Sequence, residues 1–182
     1  MARLHRADCT CCTGQGPTRR GLLGAFAALG ALSILPRGAP AGEYAGVEAC
    51  LINCMDPRIT EDGHTYMSGR GWNEGDYSQI ALAGGPIAAV APAFVDWHKA
   101  VWDNLAATVQ LHAVHRLIAL SHRDCGAVRI AFGPEAAATV EIETANHTRL
   151  LLEFRRQVAA RHPDLVVETG IMTLDGSVLM VS

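Results

Sequence analysis

Val47-Glu48-Ala49-Cys50-Leu51-Ile52-Asn53-Cys54-Met55, followed at once by Asp56-Pro57-Arg58, is the stretch on which the fold turns. Its first nine residues are mostly apolar without strict alternation, the pattern of a central strand covered on both faces. Proline has no amide for a sheet ladder, so the strand ends near Pro57. The same pattern returns at residues 116–121, Arg-Leu-Ile-Ala-Leu-Ser, which run directly into His122-Arg123-Asp124-Cys125-Gly126. A turn into a short helix is expected there. Between these stretches, residues 59–78 are polar and glycine-rich and read as an irregular surface excursion. Residues 79–83 form a second short strand, stopped by Gly84-Gly85-Pro86, where glycine allows close approaches that side chains forbid. Asp96 then caps a helix in which Trp97, Val101, Leu105 and Val109 recur every fourth residue, as a crossover packed on a sheet requires. A later helix covers about 141–161, with Leu150, Leu151, Phe154 and Val158 on one side and Pro163 past its end. Residues 165–169 and 171–174 are strand-like, and Asp175-Gly176 signals a hairpin before 178–181. Strands alternating with helices predict an α/β fold, a mainly parallel β-sheet flanked by helices, with functional residues beyond the carboxyl ends of strands.

The chain has 182 residues, 49% of them hydrophobic, enough for one domain with a true core. A net charge of -3 with scattered basic residues offers no stripe for phosphates, which excludes nucleic acid as a partner. Residues 1–41 read as an address: Thr18-Arg19-Arg20-Gly21-Leu22-Leu23, an apolar run to Leu35, and the small-residue pattern Ala39-Pro40-Ala41. They resemble a twin-arginine export signal, which implies a periplasmic or otherwise exported protein and a single mature domain over 42–182. The apolar run is short for a bilayer span, so an uncleaved signal anchor is the weaker reading and no stable membrane span is expected in the mature form. Cys9, Cys11 and Cys12 leave with the signal. Cys50, Cys54 and Cys125 remain, too few for a disulfide framework.

Side chains two apart on an extended strand share a face, so Cys54, Asp56 and Arg58 line up if the strand conformation continues through Pro57. His122 and Cys125, three apart across a tight turn, can reach one ion. Two thiolates and an imidazole suit Zn2+, which prefers four tetrahedral ligands, and three protein ligands leave one position for a water whose pKa can fall to about 7. Asp56 competes for that position as an alternative fourth ligand. If Arg58 holds Asp56 in a bidentate pair, the carboxylate is drawn off the metal and kept as an acceptor; if the pair opens, Asp56 closes the site. A disulfide between Cys54 and Cys125 is the competing reading.

The set Cys54-Met55-Asp56-Pro57-Arg58 and His122-Arg123-Asp124-Cys125-Gly126 resembles, in order and spacing, the β-class carbonic anhydrases, and within them an exported, twin-arginine branch. The likeness extends more weakly over Gly75-Asp76, Ala83-Gly84 and Leu174-Asp175-Gly176. It implies a parallel-centred sheet flanked by helices and reversible hydration of carbon dioxide to bicarbonate. Cys54, His122 and Cys125 would then be zinc ligands, with Asp56 and Arg58 a catalytic dyad. It also implies a homodimer, although residues 42–53 leave little room for the N-terminal helices that often embrace a partner. Many members place an Arg or Lys and an Asn before the Ala-Gly pair, where this chain has Ile80-Ala81-Leu82-Ala83-Gly84, so polar groups on the substrate side are missing. Two other readings share the site: hydrolysis of carbon disulfide or carbonyl sulfide, and a non-catalytic zinc protein closed by Asp56. Among the other histidines, solvated or helix-face positions suit most, and His64 is the one candidate proton shuttle. Cys50 is two strand steps from Cys54, about 13 Å, and reads as a buried small hydrophobe. Arg123 and Asp124 read as turn and surface residues, with Asp124 able to orient a ligand.

Overall fold

Ala49–Cys54 forms strand β1, and all six of its residues are buried, which is why its sequence shows no alternation. The structure, a computed structural model, describes residues 47–182; the segment 1–41 read as an export signal, with Cys9, Cys11 and Cys12, lies outside the described residues. The remaining strands are β2 (Tyr77–Leu82), β3 (Arg116–His122), β4 (Val166–Met172) and β5 (Val178–Val181), in the sheet order β2-β1-β3-β4-β5. Pairs β1–β2, β1–β3 and β3–β4 are parallel, and β4–β5 is the antiparallel hairpin signalled by Asp175-Gly176. The fold is therefore α/β, a mainly parallel sheet flanked by helices. β4 is one continuous strand rather than two pieces. Gly170 sits inside it because a Cβ there would stand 2.6 Å from Val178 Cγ1 of β5.

Helix α1 (Thr60–Gly69) takes up the first half of the irregular excursion expected over 59–78, and residues 70–76 remain turns and irregular chain before β2. Its Gly63 faces Leu51 and Asn53 of β1 so closely that a Cβ would lie 3.2 Å from Asn53 Nδ2. The glycine serves helix docking here rather than loop freedom. Met67 and the preceding Ile59 complete the buried side of this segment. Helix α2 (Val95–His112) begins after Phe94 with no side-chain cap, and Asp96 lies inside its first turn, where it favours the positive end of the helix dipole. Val101 and Leu105 form its buried stripe, whereas Trp97 is 43% exposed and stacks on Phe94. Helix α3 (Gly126–Phe132) follows the His122 turn, and α4 (Val140–Arg161) begins at Thr139, whose side chain accepts the Ile142 amide. Ser121 of β3 accepts or donates to His147 of α4 on the sheet face opposite the one Gly63 meets, so helices cover both faces. No helix among the described residues is long and apolar enough to cross a membrane.

β1 has β2 on one side and β3 on the other, so the crossover from β1 to β2 runs one way along the sheet and the next, from β2 to β3, runs back past β1. A crevice opens at the carboxyl ends of strands where the order reverses in this way. Cys54 ends β1 and His122 ends β3, on the two sides of that crevice.

Candidate metal centre

Three buried side chains, Cys54, His122 and Cys125, bring two sulfurs and one imidazole nitrogen within 4.8 Å of one another. They come from β1, β3 and the turn before α3. His122 Nδ1 lies 2.9 Å from the Arg123 carbonyl oxygen, which can only accept, so Nδ1 carries the ring proton and Nε2 presents its lone pair. That Nε2 is buried and has no hydrogen-bond partner. A buried polar atom left unmatched is costly, and the atoms gathered around this one are those that bind metal.

Glycine geometry brings the β1 and β2 ends together. Gly84 adopts a left-handed φ of 81° and donates its amide to Cys54 Sγ at 3.3 Å. Gly85, at φ 53°, approaches β1 so closely that a Cβ would stand 2.7 Å from the Asn53 carbonyl carbon. The Cys125 thiol hydrogen bond, His122 and the Gly84 amide pull the Cys54 thiol down to about 4, against its burial. The hydrogen bond to Cys54, together with burial, pushes the Cys125 thiol up. Both cysteines are free thiols, as is Cys50, whose burial pushes it up to about 12.

Asp56 and Arg58 also meet, but not along an extended strand. Asp56 has extended backbone and caps a single 3-10 turn, Pro57–Ile59, by accepting the Arg58 amide at 3.0 Å. Pro57 opens that turn, a position where no amide is needed. Arg58 therefore curls back. Its Nε lies 3.0 Å from Asp56 Oδ1 and its Nη2 2.8 Å from Oδ2, a bidentate pair that holds the carboxyl down at about 2. Asp56 stands outside the three-ligand group, with Oδ2 3.9 Å from His122 Nε2.

Asp124 takes a larger part than a turn residue. Arg58 Nη1 donates to its Oδ2 at 2.8 Å and Nη2 to its carbonyl at 3.0 Å, while Arg129 holds Oδ1. Glu143 and His147 on α4 are both buried behind this turn. Their four-residue spacing on one helix face was the available signal, but it marks any packed helix equally. His64 lies elsewhere: it bonds Tyr77 at the start of β2, whereas Leu82 at the other end of that strand pairs with Cys54. That position does not serve a proton shuttle. Beside the ligands lies a cleft of about 300 Å³ lined by Cys54 and Asp56 and walled otherwise by Met55, Pro57, Ala83, Ala127 and Ile130. Apart from Asp56 and Cys54 its wall is apolar, in keeping with the missing polar pair before Ala83-Gly84.

No family model matches the sequence. Over 126 residues the chain is 33% identical to an uncharacterized protein of Rickettsia bellii, across 69% of this chain and 76% of the relative. An uncharacterized protein of Rickettsia conorii is 33% identical over 128 residues, across 70% and 68%. Among solved structures, the β-carbonic anhydrase CafA of Aspergillus fumigatus matches with a TM-score of 0.50 and 18% identity, covering 76% of each chain. The Coccomyxa β-carbonic anhydrase solved with acetazolamide gives 0.50 and 14%, covering 75% and 72%. At such identities the likeness establishes the fold. The chain thus belongs to one sequence family with the two rickettsial proteins, a family built on the β-carbonic anhydrase fold.

Proposed function

We propose that the protein is a zinc-dependent carbonic anhydrase, catalysing the reversible hydration of carbon dioxide to bicarbonate. The observation that carries this reading is the buried, unpartnered Nε2 of His122, facing two cysteine sulfurs beside a carboxylate held by arginine. Cys54, His122 and Cys125 would hold the ion, and this donor set fits tetrahedral zinc with one position left over. A zinc ion bound there supplies Lewis-acid activation of water, making a nucleophile available near neutral pH.

The chain's own residues do the rest. The Arg123 carbonyl fixes the His122 tautomer and ring orientation, which keeps Nε2 free to ligate. Arg58 keeps Asp56 ionised and turned aside, so that its carboxylate can accept a proton-bearing donor at the site and orient it. The cleft wall from Met55 to Ile130, apolar apart from Cys54 and the Asp56 carboxylate, suits a small uncharged substrate and offers bicarbonate few partners, favouring its release. Export through the segment 1–41 is part of the proposal. It is checked by the N-terminus of protein recovered from the periplasm: a start near Gly42 supports it, and an intact Met1 in a cytoplasmic fraction overturns it.

The deciding experiment is metal analysis with stopped-flow carbon dioxide hydration on the purified protein. Bound zinc with turnover is expected. Zinc without turnover from neutral to alkaline pH, on carbon dioxide or its sulfur analogues, would leave a non-catalytic zinc protein. A reduced protein unable to take up zinc would remove the reading altogether.

A further inference from the structure

Glu143 lies in the first turn of α4, a place where a carboxylate is favoured by the helix dipole even when exposed. Its side chain is nevertheless turned inward and buried. Burying a carboxylate is costly unless both oxygens find donors. Both find them on one short segment: Oε1 accepts the backbone amide of Asp124 at 2.6 Å, and Oε2 accepts Arg123 Nη1 at 3.2 Å. That segment is the whole link between His122 and Cys125.

Asp124 has φ 55°, in the left-handed region that costs a residue with a Cβ about 1 kcal/mol or more. From that conformation it turns both its carbonyl and its carboxylate to Arg58. Arg58 spends its remaining donors on Asp56. One line of charged contacts therefore runs from α4 through the Asp124 peptide and Arg58 to Asp56.

We propose that Glu143 is a positioning residue which, by pinning the Arg123–Asp124 segment in its left-handed turn, keeps Arg58 engaged and so holds the Asp56 carboxylate away from Cys54, His122 and Cys125. The inference rests on the metal reading above and adds to it what governs access to the remaining coordination position. Without the Glu143 carboxylate the Asp124 amide loses its acceptor and the turn relaxes toward negative φ. Arg58 then loses its two contacts to Asp124. Asp56, already 3.9 Å from His122 Nε2, becomes free to move onto the ligand group.

The test is made on the purified protein loaded with cobalt, whose visible absorption reports its coordination. Thiocyanate is titrated into the unaltered protein, Glu143→Ala, and Glu143→Ala combined with Asp56→Ala; cobalt content and thermal midpoint are recorded for each. Glu143→Ala is expected to keep its cobalt while its apparent affinity for thiocyanate falls about tenfold, and the added Asp56→Ala change is expected to restore it. Carbon dioxide turnover should fall about tenfold in Glu143→Ala but show no further loss when the same change is made in Arg58→Ala, because the two act through one contact. A cobalt-loaded Glu143→Ala protein with unaltered thiocyanate response, or losses from Glu143→Ala and Arg58→Ala that simply multiply, overturns the inference. Should Glu143→Ala fail to fold, Glu143→Leu, close in size and without an acceptor for the Asp124 amide, is read in the same way. A loaded protein that lacks turnover still reports through its spectrum. Failure of the unaltered protein to bind any metal overturns the proposed function itself, a result distinct from a loaded protein indifferent to Glu143.

Discussion

Arg58 stands between two carboxylates, and its planar fork reaches both because its donors point in fixed, divergent directions. Lysine would carry the same charge without that geometry. Arg58→Lys is therefore expected to retain zinc while losing between about tenfold and a hundredfold of hydration turnover, checked by metal analysis alongside stopped flow. Asp56 follows the sign of its pairing. Its folded value, about 2, lies below the ordinary 3.8, so the stabilisation it gives is complete above 3.8 and is lost as pH falls through about 2. It stays ionised across pH 5 to 9, and a limb of the pH–rate profile in that window belongs to another group. The residues Cys54, His122 and Cys125 were legible as a set because few residue types bind soft metal and their spacings are tight. Asp124 and Glu143 were not. A left-handed turn at a residue other than glycine is imposed by partners from distant elements, and nothing in Arg123-Asp124 itself announces it.

Helix α1 shows what local pattern misses. Gly63 and Gly69 lower helix propensity, and only a few apolar residues mark the buried side, so the segment reads as loop. Its docking compensates: the space a side chain would occupy at Gly63 is taken by Leu51 and Asn53. The strands were easier to read, since β1 and β3 are buried on both faces and their apolar runs have no helical period. The segment Gly84-Gly85 was legible for the same physical reason that makes it sensitive. Gly85→Ala would force a Cβ against β1 backbone at a positive φ, and we expect a loss of at least about 2 kcal/mol, measured by urea unfolding. Thr139→Ala removes the cap of α4 and should cost about 1 kcal/mol in the same assay.

For the whole molecule, the buried histidine behind the site sets an acid limit. His147, fully enclosed and bonded to Ser121, is lowered by burial from 6.5 to about 4. The unfolded chain therefore binds a proton there before the folded one does. The stability His147 permits is present above about 6.5 and is lost as pH falls toward 4, and His147→Gln should flatten that part of a stability–pH curve obtained from unfolding midpoints. The sheet order has a different consequence. Arg58 and Asp124 touch across sixty-six positions of chain, and the two strand ends beside them are neighbours only in the finished fold. An ion gripping both ends would tether a long loop, worth about 4 kcal/mol by loop-closure arithmetic, and copies stripped by a chelator would open more often. Such copies are the ones a protease should find first, so digestion that quickens on chelation and slows again on adding zinc would show the protein's lifetime in the cell to be tied to its metal supply.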